Sequence, residues 1–103
     1  KMIKLVEIKN VREYNAMERK AAAQFQLNEI WINPDSILQI KEDMSMEKNL
    51  EKGWLPKEMD SRQQFSRILF GTGNNVSAAI VVGNPQAIVE KIYKASGKEL
   101  LRG

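Results

Sequence analysis

Cysteine and histidine are both missing from this chain of 103 residues. Without cysteine there is no disulfide framework and no thiolate-bound metal. Without histidine the commonest general base, the commonest zinc ligand and any imidazole-based pH switch are gone as well. An enzyme built from this composition would rest on carboxylates, lysine or tyrosine, and no pair of these has a diagnostic spacing. No enzymatic activity, cofactor or metal is therefore expected. Long apolar runs are equally scarce. The longest, Val76 to Val82, is interrupted by Ser77 and falls far short of the roughly 20 residues that span a bilayer. The opening Lys1-Met2-Ile3-Lys4-Leu5 has no apolar stretch before Glu7, so no signal peptide is expected. No membrane association is expected, and the absence of thiols is compatible with a cytoplasmic location.

What is present is ordinary for a globular domain: 43% hydrophobic and 28% charged residues. The length suits one domain over residues 1–103. The net charge is +3, but its distribution is uneven. Residues 1–27 carry six basic and three acidic side chains, residues 28–61 four and eight, and residues 62–103 six and two. Basic ends and an acidic middle share one small domain, which favours head-to-tail association or approach to an anionic partner.

Hydrophobic periodicity predicts the elements. Ile3 to Ile8 reads as a strand with apolar residues on both faces. Asn10 and Glu13 are spaced as a capping box, and Val11, Tyr14, Met17, Ala21 and Phe25 recur at three or four residues, predicting a helix over Val11 to Gln24. A looped insertion is the alternative for that segment. Phe25 to Ile32 alternates as a strand, with Trp31 expected in the core, and Asn33-Pro34-Asp35-Ser36 is a turn signal before a strand over Ile37 to Lys41. Residues 44–61 read as a long loop or insertion, within which Ser45 is a candidate cap for a short helix ending at Gly53 with Met46 and Leu50 on one face.

The last third is the most consistent. Phe65 to Phe70 and Val76 to Val82 predict two strands, and Gly71-Thr72-Gly73-Asn74-Asn75 between them predicts a hairpin turn. Asn84 and Pro85 suit the start of a helix carrying Ile88, Val89, Ile92, Tyr93 and Ala95, with Gly97 as its stop. Together these predict an α+β fold: a single small antiparallel sheet of about five strands, a helix after strand 1 and a C-terminal helix packed on one face. An SH3-like or pleckstrin-like barrel is the alternative.

Met2-Ile3-Lys4-Leu5, the run from Leu27 to Ile37 with its Asn33-Pro34 turn, and Ile68-Leu69 through Ile80-Val81-Val82 into Pro85 to Ile92 stand in an order that resembles the FlbD family of small flagellar accessory proteins. The same order is similar to small phage proteins of this plan. The resemblance implies the strand order and a phage or bacterial origin, and it carries no catalytic residue.

Two surfaces are candidates for function. Trp54, with Leu55 and Met59, is an apolar cluster in a charged loop, the kind of anchor that dominates protein interfaces or else a lid on the core. Arg62, Arg67, Lys91, Lys94 and Lys98 are candidates for contact with nucleic acid, with a solvated basic face as the plainer reading. Asp35, Glu42, Asp43, Glu58 and Asp60 read as a solvated acidic face rather than a general acid–base or hard-metal set. The glycine turn and the Asn84 helix start read as folding devices rather than anion sites. The expected function is a non-enzymatic binding or regulatory module acting through protein contacts, with a protein partner or self-association. Nucleic-acid binding through the basic terminal segments is the alternative.

Overall fold

The computed structural model describes residues 1–10, 13–15, 20–22 and 25–97. Along the chain these form β1 (Ile3–Asn10), β2 (Glu13–Asn15), β3 (Lys20–Ala22), β4 (Phe25–Ile32), a 3-10 turn at Pro34–Ser36, β5 (Ile37–Glu42), α1 (Met44–Glu51), β6 (Phe65–Thr72), β7 (Asn75–Val82) and α2 (Pro85–Ala95). The fold is α+β. Five strands make one antiparallel sheet in the order β4-β1-β7-β6-β5. Among the described residues β4 and β5 are its two edges, so the sheet is open and not a barrel.

Side-chain alternation gives this sheet two faces with different cover. On the first, Ile3 and Leu5 of β1, Ile32 of β4, Ile68 of β6, and Ala79 and Val81 of β7 are buried with Ile88 of α2. Ile30, Ile40, Phe70 and Ile92 pack around them. α2 is held on this face by a start the sequence specifies locally. The Asn84 side chain accepts from Ala87 N–H at 2.8 Å, and Pro85 follows where no N–H is needed. Ser66 Oγ, on a fully buried residue of this face, donates to Gly83 O at 2.7 Å, tying β6 to the chain entering α2.

The second face is only partly covered. Ile8, Phe65, Met46 and Leu55 form a smaller core, with Phe25, Leu50, Met59, Ile80 and Val82 against it. Residues 44–61, expected as a loop or insertion, therefore supply α1 and a packed connection. The cap of α1 is Asp43 and not Ser45. The Asp43 carboxylate accepts from Met46 N–H at 2.9 Å and from Ser45 Oγ at 2.6 Å. A carboxylate satisfies the first-turn donors more strongly than a neutral hydroxyl does and also complements the helix dipole.

Within Val11 to Gln24, where a helix is expected, the described residues are strands. Glu13 pairs with Ala22, Tyr14 with Ala21 and Asn15 with Lys20, both segments being strands. Their register continues that of β1 with β4, in which Asn10 faces Phe25. Pairing in a register already set by the five-stranded sheet carries little further entropic cost, and that overrides a thin helical stripe. Val11, Met17 and Gln24 lie outside the described residues. The helix that precedes α2 is instead α1, after β5.

Candidate functional site

Trp31, expected in the core, is 60% exposed. Its neighbours Ile30 and Ile32 pack into the first core, so strand alternation turns the indole to the opposite face. There it stands across from Lys4. Val6 opposite Glu29 and Ile8 opposite Leu27 continue the same face, and the smaller core takes up Ile8 but leaves Leu27 exposed. Lys4 Nζ lies 3.9 Å from Glu29 Oε2, a diagonal cross-strand ion pair at the long end of the range with both side chains at least half exposed. Met2, just before β1, is also exposed. These residues make an apolar patch with one cation and one anion on a regular two-stranded ribbon.

The loop cluster separates into two roles. Leu55 is buried in the smaller core and Met59 packs against it, whereas Trp54 is 51% exposed. Lys52 Nζ sits 4.7 Å from the Trp54 ring centroid, a cation–π contact that keeps the indole on the surface. Both tryptophans are thus exposed, one on a strand and one beside α1.

The basic candidates do not converge on one surface. Arg62 is engaged by Asp60: its backbone N–H donates to Oδ1 at 2.8 Å, and Nε and Nη2 donate to the two carboxylate oxygens at 3.3 Å each. These hydrogen bonds, the side-chain ones first, hold the Asp60 carboxyl below its ordinary range. Lys91 and Lys94 lie on α2, and Lys91 Nζ donates to the Lys4 carbonyl at 3.3 Å. Arg67, between Ser66 and Ile68, projects from the face opposite α2. Lys98 lies outside the described residues. What sequence reading missed is the neighbour of Arg67: Lys41 stands directly opposite it on β5. Like charges in that position oppose one another, and among the described residues neither cation is paired with a carboxylate.

Arg67 also borders a cleft of about 400 Å³ with Lys9, Asn10, Ser45, Met46 and Ala78. The cleft opens because β1 and β7 pair only at Glu7–Val81 and Ile8–Ile80 and then part. On the acidic side, Glu47 of α1 has its carboxyl raised by desolvation, then by the charges of Glu42, Asp43 and Glu51. Among the described residues no three acidic side chains approach closely enough to hold a metal ion, and no helix is long and apolar enough to cross a membrane. No family model matches the chain, nor does any curated protein or solved structure.

Proposed function

We propose that the chain is a non-enzymatic binding module that acts through protein contacts, in a cytoplasmic setting. The observation that carries this reading is Trp31, a large amphipathic side chain presented at 60% exposure from the interior of a paired strand. The strand ladder fixes its backbone, so little order remains to be imposed on binding, and tryptophan is the residue type most enriched among dominant interface anchors. Trp54 adds a second such group from the loop that the sequence singled out. Leu55 and Met59 support it from beneath by holding the loop to the core.

Trp31→Ala and Trp54→Ala are expected to keep the far-UV circular dichroism of the parent, since both indoles are more than half in solvent. The immobilised full chain should then retain about tenfold less of its specifically bound protein, its own chain included, in quantitative mass spectrometry. Equal retention by the parent and both variants would sink the reading.

A second reading has its own observation. The cations Lys41 and Arg67, opposed across β5 and β6 and unpaired among the described residues, would be relieved by an anion, and a nucleic-acid backbone is one. Titration of labelled single-stranded and duplex oligonucleotides at low and moderate salt should show binding that weakens steeply with salt and with Arg67→Ala. Absence of binding at low salt would remove this alternative.

A further inference from the structure

We propose that the open face of β1 and β4 receives a second copy of this chain around a two-fold axis, with Lys4 of each copy meeting Glu29 of the other. The proposal rests on the protein-contact reading and names the partner. The patch of Lys4, Val6, Leu27, Glu29 and Trp31 is left bare because α2 lies on the other face and the smaller core reaches only the Ile8 end of the ribbon. β4 is an edge strand, so the face runs to the rim of the sheet. Two such faces can pack as sheets do, about 10 Å apart with strands near 30° to one another, their side chains interdigitating.

Charge identifies the occupant. The patch carries one cation and one anion, placed diagonally on adjacent strands, and is neutral as a whole. A two-fold axis lying in the face midway between Lys4 and Glu29 sets each of these charges against its opposite, which makes the surface complementary to itself. A polyanion would meet Glu29 beside Trp31, and an anionic membrane would do the same. The internal pair is too long and too exposed to satisfy either group: at 3.9 Å, Lys4 Nζ keeps donors free and Glu29 keeps acceptors free for a partner. The indole and Val6, directly opposite Lys4 and Glu29 in the ladder, then supply apolar contact beside the two charge pairs near the axis.

Sedimentation of the intact chain over a range of concentrations tests this directly. The parent should be a reversible dimer, and Trp31→Ala should weaken it by about tenfold or more. Lys4→Glu and Glu29→Lys should each weaken it by at least about tenfold, because each places two like-charged contacts across the axis. An equimolar mixture of these two variants should restore dimers, and native mass spectrometry should show them to be heterodimers. A parent that stays monomeric, charge variants that dimerise as the parent does, or a mixture that fails to form heterodimers would overturn the proposal. A monomeric parent that still loses bound foreign protein on Trp31→Ala would overturn it while leaving the protein-contact reading intact. Loss of neither self-association nor capture would end both.

Discussion

Phe65→Ala is expected to destabilise the domain by about 3–5 kcal/mol, close to the whole stability of a small domain. Phe65 is fully buried and is the largest member of the smaller core, where its ring is shared by Ile8, Met46 and Leu55. Truncation removes the transfer energy of the ring and leaves a cavity that a four-residue core has little means to fill. The loss should be spatially uneven. α1 and the 54–59 connection touch the sheet through this cluster, whereas α2 is held by the separate core around Ile68 and Ile88. In hydrogen exchange the amides of α1 should therefore lose protection before those of α2. A urea midpoint within error of the parent, or equal loss of protection in both helices, would contradict this division of the core.

Gly71→Ala should be nearly as damaging, by about 3 kcal/mol or more. Gly71 has φ +142, a backbone conformation that other residues rarely adopt, and a Cβ there would run into the Asn75 carbonyl oxygen across the hairpin. Both atoms belong to the β6–β7 ladder, so neither can move without breaking Gly71–Val76 and Thr72–Asn75 pairing. Gly73→Ala supplies the comparison. It also has a positive φ, +57, but a Cβ there meets nothing within 4 Å. Its cost should stay at about 1–2 kcal/mol, the conformational term alone. Urea midpoints of the two variants separate crowding from backbone strain. Equal midpoints would show that the hairpin absorbs the added carbon.

The parts of the fold that could be read from the sequence are those in which local chemistry and tertiary packing agree. Asn84 and Pro85 start α2 by satisfying donors within four residues, and the sheet then buries the stripe that begins at Ile88. The Gly73-Asn74 turn is likewise closed by the Thr72–Asn75 pair beside it. Residues 11–24 were legible only as a spacing. Tyr14 and Ala21 suit one side of a helix as well as they suit opposite strands of a ribbon, and a distant anchor, the β1–β4 register, decides between them. The cap of α1, expected at Ser45, is Asp43. The start of α1 was decided by where β5 ends: Asp43 N–H donates to Phe65 O, leaving its carboxylate free to turn back on the helix.

The candidate surface shows the same division. Alternation alone determined that Trp31 and Glu29 share one face while Ile30 and Ile32 share the other, because a strand turns each successive side chain over. The composition of the loop likewise placed Trp54 among charged residues. The tertiary structure alone decided which of those faces is covered. α2 has one apolar stripe and can bury one face; it lies over the isoleucines. α1 and the Leu55–Met59 connection are too short to cover the second face and reach along β1 and β4 only as far as Ile8 and Phe25. Whether a tryptophan becomes core or surface thus depends on the reach of elements far along the chain, and the residues around Trp31 do not encode that reach.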